Sequence, residues 1–187
     1  YLPDSTLVPI RGRECTSQQM PVIAQKFPSY VSFANSDLAG ILGHRSMESA
    51  LHYKAYLFSS VIALNDNGKF TLKRLPVEAQ LSCINSFVVG DFDSDGKKDL
   101  LIAGNKFDVE VETTPADASP GFLLKGDGTG NFTAIKSSQS GFFVPYNVKD
   151  TRLVNVNGRN VILVSSNSDQ LRVFVFVAPG AAVPAFQ

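Results

Sequence analysis

Four aspartates within nine residues are the densest concentration of chemistry in this sequence. In Gly90-Asp91-Phe92-Asp93-Ser94-Asp95-Gly96-Lys97-Lys98-Asp99-Leu100 the carboxylates fall at positions 1, 3, 5 and 9 of one short loop, with Gly96 at position 6. Carboxylates this close repel one another, and a hard cation that prefers oxygen ligands, calcium above all, relieves the repulsion. The glycine allows a sharp turn, which directs the carbonyl of Lys97 at position 7 toward the ion. The expected ligands of one Ca2+ are therefore Asp91, Asp93, Asp95, Lys97 and Asp99. The plain alternative is an acidic surface turn that binds nothing.

The flanking residues decide what kind of loop this is. An EF-hand needs a bidentate glutamate at position 12 and a helix on each side. Position 12 is Ile102, and the flanks Ser86-Phe87-Val88-Val89-Gly90 and Leu100-Leu101-Ile102-Ala103-Gly104-Asn105 are short apolar runs bounded by Gly and Asn. Such runs read as buried strands, so the site joins strand to strand.

With those residues in view a resemblance becomes specific. DFDSDGKKDLLIAGN, residues 91–105, resembles the calcium loop and following strand of the FG-GAP/VCBS repeat, the blade unit of integrin-α-like β-propellers. LKGDGTGNFT, residues 124–133, resembles the Gly-rich hairpin ending in Phe that recurs in the same repeats. The arrangement of 53–187 is similar to the C-terminal part of large bacterial VCBS-repeat proteins related to the ASPIC/UnbV group. The resemblance implies a mainly β chain, a partial β-propeller of about three blades with a small helical insertion. It also implies extracellular, periplasmic or outer-envelope placement, with roles in adhesion or in protein or carbohydrate recognition.

Composition narrows the class. The chain has 187 residues, of which 44% are hydrophobic and 18% charged, enough for a substantial core. Lys+Arg and Asp+Glu each count 17, and this balance argues against a nucleic-acid partner, which calls for a basic excess or stripe. No apolar run approaches the ~18 residues of a membrane span. Cys15 and Cys83 are the only cysteines, and they read either as one disulfide of an exported protein or as two buried thiols. His44 and His52 have no converging partners nearby in sequence and read as ordinary surface or packed histidines.

Along the chain, residues 1–16 read as an extended or edge segment. Residues 17–51 read as a helical insertion: Ser17 caps a helix bearing Met20, Ile23, Ala24 and Phe27 on one face, Pro28 stops it, and Ser36 or Asp37 caps a later helix through Ile41. From Tyr53 the pattern turns β. A strand over 53–64 leads into the Asn65-Asp66-Asn67-Gly68 turn and returns through Lys69-Phe70-Thr71-Leu72. Residues 106–120 read as a long acidic loop. A second hairpin turns at Gly126-Asp127-Gly128-Thr129-Gly130; no Lys-Ser/Thr pair and no helix follow it, so it is no phosphate loop.

Self-comparison reveals a repeat. Phe70 to Phe132, Gly96 to Gly158 and Asn105 to Asn167 are each separated by 62 residues. The second aspartate loop has eroded to Asn155-Val156-Asn157-Gly158-Arg159-Asn160-Val161, two residues shorter before its glycine and without carboxylates, so it should hold no calcium. The expected units are a blade with the calcium loop over 53–120, a blade with the degenerate loop over 121–177, and a surface tail at 178–187. About three blades do not close a propeller, which needs at least four. The expectation is thus one segment, 1–187, from the C-terminal part of a longer propeller, or one that closes by associating with the rest of the propeller or another chain.

The functional expectation is a calcium-stabilised binding or adhesion module with an unknown protein or glycan ligand and no catalysis of its own. The alternative is part of a propeller-based hydrolase or lyase that uses the metal site.

Overall fold

The structure is a computed structural model that describes residues 6–111, 113–175 and 177. The expected tail, 178–187, lies outside the described residues. The chain divides into two compact units, residues 1–56 and 57–187.

The first unit is helical: α1 (Arg13–Gln19), α2 (Val22–Lys26), α3 (Tyr30–Ala34), α4 (Leu38–Leu42) and α5 (His44–Ser49). The helix expected to start at Ser17 begins instead at Arg13. Pro21 splits it, because proline brings no N–H to continue a helix. Ser29 opens α3 with a capping box to Ser32, and Asp37 caps α4 by accepting from the Gly40 N–H at 2.6 Å. Ile23, Phe27, Phe33 and Ile41 form a small core, with the two phenylalanine rings edge to face at 5.7 Å. Lys26 fastens α2 to α4 by donating to the carbonyls of Gly40 and Ile41.

The second unit is mainly β, in three antiparallel sheets. The first pairs β1 (Val61–Asp66) with β2 (Lys69–Arg74). The second runs β3 (Ile84–Gly90), β4 (Asp99–Gly104), β5 (Phe122–Gly126) and β6 (Phe132–Ile135) in that order. The third runs β7 (Val148–Val156), β8 (Arg159–Ser166) and β9 (Arg172–Val175). A short helix, α6 (Ser137–Ser140), lies between the second and third sheets in sequence.

Two expectations change here. The strand expected from Tyr53 starts only at Val61, since β2 ends at Arg74 and offers no partner to the residues before it. The division expected between residues 120 and 121 falls inside the second sheet, where β4 pairs with β5. The acidic stretch 106–120 is a connection that returns to its own sheet, pinned by Asn105. The Asn105 amide donates to the Ser119 carbonyl at 2.8 Å and accepts from the Ser119 N–H at 3.1 Å.

The strand registers extend the repeat from single landmarks to whole ladders. In β3–β4, Ile84 pairs Gly104 and Ser86 pairs Ala103 across a bulge; in β7–β8, Val148 pairs Ser166 and Asp150 pairs Ser165 across a bulge. The near strands are 64 residues apart and the far strands 62, the difference being the two residues missing from the second loop. Likewise Leu101 opposite Leu123 becomes Leu163 opposite Val173, so β9 is the counterpart of β5. Gly126 opposite Phe132 matches Asn65 opposite Phe70, so β1–β2 is the counterpart of β5–β6. The middle sheet is therefore a whole unit. Among the described residues, the first sheet holds the last two strands of a unit and the third its first three.

The sheets stack. Val88, Leu101 and Ala103 on one face of the middle sheet pack with Val148, Ile162 and Val164 of the third. Ile102, Phe122 and Leu124 on the other face pack with Leu75 and Ala79. Covered on both sides, β4 is buried along nearly its whole length, as its unbroken apolar run requires.

Candidate metal site

The aspartate loop is the eight-residue link from β3 to β4, and it is anchored before any ion is considered. Phe92, buried, inserts its ring into the core between the middle and third sheets. Ser94 and Gly96 carry positive φ, 64° and 82°, and reverse the backbone between the carboxylates.

Each aspartate is held by backbone donors. Asp91 accepts from the N–H groups of Asp95 at 3.2 Å and Gly96 at 2.9 Å. Asp93 accepts from Asp95 N–H at 3.1 Å, and Asp95 from Lys97 N–H at 2.9 Å. Asp99 is 1% exposed; one oxygen accepts from Phe92 N–H and the other from Gly126 N–H, both at 2.9 Å. It thereby ties the two ends of the loop together and fastens both to β5. Gly126 allows this because a Cβ there would collide with the Lys98 carbonyl oxygen.

Among the described residues, Asp91, Asp93 and Asp99 converge, each with one carboxylate oxygen within 4.8 Å of the others. Three hard oxygens at that spacing, each with a lone pair beyond its N–H bond, fit a calcium-sized cation. Asp95 stands apart from this triad. Its second oxygen pairs with Lys125 at 3.1 Å and Lys97 at 3.9 Å. Lys97, expected to offer its carbonyl, takes part here through its N–H and its ammonium.

Lys125 is the residue that spacing did not reveal. It projects from β5 and pairs with both Asp93 and Asp95. Hydrogen bonds to Asp93 first and Asp95 second hold its ammonium well above the usual lysine value. The Lys97 N–H, then Lys125, hold Asp95 below the usual carboxylate range. The available signal was its position, immediately before the Gly-rich turn whose first glycine contacts Asp99.

The degenerate counterpart has become an ordinary hairpin. Asn155 pairs Asn160 and Val156 pairs Arg159, closing a two-residue turn at Asn157 and Gly158 with φ of 51° and 80°. Residues that form the aspartate loop in one copy extend the ladder in the other.

The remaining candidates do not join the site. His52 Nε2 contacts the Met47 carbonyl at 2.8 Å, and His44 begins α5. Cys15 lies in the first unit and Cys83 in the second, each half-buried. No helix among the described residues is long and apolar enough to cross a membrane. Comparison with protein families, curated proteins and solved structures returns no match for this chain.

Proposed function

We propose that this chain is a calcium-stiffened segment of a β-propeller of the FG-GAP/VCBS kind. In this reading it serves as a binding or adhesion module outside the cell or in its envelope, presents its surface to a protein or glycan, and carries no catalysis of its own. The observation that carries the reading is the convergence of Asp91, Asp93 and Asp99 in a strand-to-strand loop of a repeated, stacked sheet. Bound there, calcium would supply charge neutralisation and a fixed loop. The chain's own groups do the rest: Asp99 clamps the loop to β5, and Phe92 roots it in the core. A modest affinity suits an environment with millimolar calcium.

Thermal melting in calcium and in chelator tests the metal reading. A ligand that binds only the folded state raises the melting temperature with concentration. The expected result is a calcium-dependent rise that Asp93→Ala abolishes. An identical melting temperature in calcium and chelator, unchanged in Asp93→Ala, overturns it. A screen of the calcium-loaded chain against glycans and envelope proteins then tests the binding role; turnover of a sugar or ester substrate would instead favour a hydrolase or lyase.

A further inference from the structure

The repeat registers identify a surface that is completed on one sheet and open on its counterpart. On the third sheet, Val148, Ile162 and Val164 are buried against Val88, Leu101 and Ala103 of the β3–β4 hairpin. Their counterparts on the middle sheet are Ile84, Leu100 and Ile102, on the face turned toward β1–β2. There, among the described residues, the first sheet supplies its last two strands, and an apolar groove of about 470 Å³ remains. Val61, Ala63, Ile84, Phe87, Val89 and Leu100 contribute to its lining. Thr151 in β7 is 4% exposed, whereas its counterpart in β3, Phe87, is 62% exposed.

The adjoining strand edge is open as well. In the middle sheet β5 has β6 on one side and β4 on the other; its counterpart β1 has only β2 among the described residues. The Leu75 N–H bonds to the Ser60 carbonyl, so the alternation of an antiparallel ladder turns the peptide groups of Val61 and Ala63 away from β2. These free donors and acceptors border the groove. An unpaired edge beside an uncovered apolar face is a template for strand addition.

We infer that this groove receives the inner hairpin of a further repeat of the same kind. One strand of that hairpin pairs antiparallel with β1 across Val61 and Ala63, as β4 pairs with β5 across Phe122 and Leu124. Its apolar face covers Phe87 and Leu100, as Val88, Leu101 and Ala103 cover the third sheet, where Thr151 and Ile162, the counterparts of Phe87 and Leu100, are buried. The occupant is specified by the chain itself, because β3–β4 shows what fills the equivalent space one unit along. This inference rests on the repeat reading of the fold and not on the metal.

The test uses the full chain and a synthetic peptide of residues 85–105, the β3–β4 hairpin with its charged loop. Saturable one-to-one binding is expected, with slowed hydrogen exchange at the amides of Val61 and Ala63. Phe87→Lys places a charge in the groove on an exposed position, and Ala63→Pro removes an edge donor. Each should weaken binding about tenfold or more while the chain still melts cooperatively. Absence of binding, or binding indifferent to both substitutions, overturns the inference. So does a dimer of this chain that dissociates in Phe87→Lys, for then a second copy covers the groove. A calcium-dependent rise in melting temperature alongside failed peptide binding would leave the metal reading standing and remove only this one.

Discussion

The Lys125 ammonium lies 3.1 Å from a carboxylate oxygen of Asp95 and also pairs with Asp93, so a fixed positive charge from β5 sits against the aspartate loop. The lysine lessens the repulsion among four aspartates, and it also opposes any cation they would bind. Lys125→Met should therefore tighten calcium binding by about tenfold, the size expected for one charge removed a few ångströms away in a solvent-exposed loop. The same variant should melt lower than the parent in chelator. Calorimetric titration and paired melting curves measure both effects. Unchanged calcium affinity in Lys125→Met would show that the pairing does not reach the site.

Asp99 works in the opposite way, through burial. At 1% exposure it accepts one N–H from each side of the loop's anchorage, Phe92 and Gly126. Asp99→Ala strands both donors away from water, at about 1–3 kcal/mol apiece. A loss of roughly 2–6 kcal/mol in urea unfolding is expected even in chelator, where the metal plays no part. Asp93→Ala, at a more open position, should cost little in chelator and act mainly on the response to calcium. Equal losses for the two variants in chelator would contradict the anchoring role.

Much of this was legible because the informative residues act locally. The aspartate spacing marks the loop, Asn67-Gly68 marks a tight hairpin, and the 62-residue offset marks the repeat. What sequence concealed was set by pairing partners distant in the chain. Tyr53 and Phe58 have strand-forming side chains, but neither lies in a strand among the described residues. The break at 120 and 121 looked like a unit boundary because the acidic connection is long. The Asn105 to Ser119 bonds and the Lys106–Ala116 bridge return β5 to β4. Lys125 was concealed for the same reason, since its charge meets the loop only after β5 has docked.

Asn105 ends β4 at φ 90°, fully buried, with its side chain closing the long connection through Ser119. Asn tolerates that backbone region better than other residues with a side chain, and its amide both donates and accepts. Asn105→Ala loses the bonds and keeps the strained φ, so a cost of roughly 3 kcal/mol or more is expected. Asn105→Gly loses the same bonds but relieves the strain, and should be about 1 kcal/mol less damaging. Chemical denaturation of the pair separates the two contributions. An alanine variant as stable as the glycine variant would mean that φ at this residue costs nothing.

Acid should unfold the chain in a defined window. Asp127 accepts from the Asn131 side chain, the Thr129 N–H at 2.7 Å and the Thr129 hydroxyl at 2.8 Å, and these bonds push its carboxyl well below the ordinary value of 3.8. Asp95, Asp108, Asp150 and Asp169 are lowered too, chiefly by hydrogen bonds from Lys97, Asn147, Arg152 and Arg172 respectively. A carboxyl depressed in the folded state contributes stability above its unfolded value and loses it as pH falls through the folded one. The urea midpoint in chelator should therefore stay level from neutral pH down to about 5 and then decline as these groups protonate. Asp127→Asn removes one contributor, so the variant should start slightly lower at neutral pH, the turn being exposed, and decline less steeply, the two curves converging in acid. A midpoint that falls well above the carboxylate range, or an equally steep decline in Asp127→Asn, would show that this turn does not govern the acid limb.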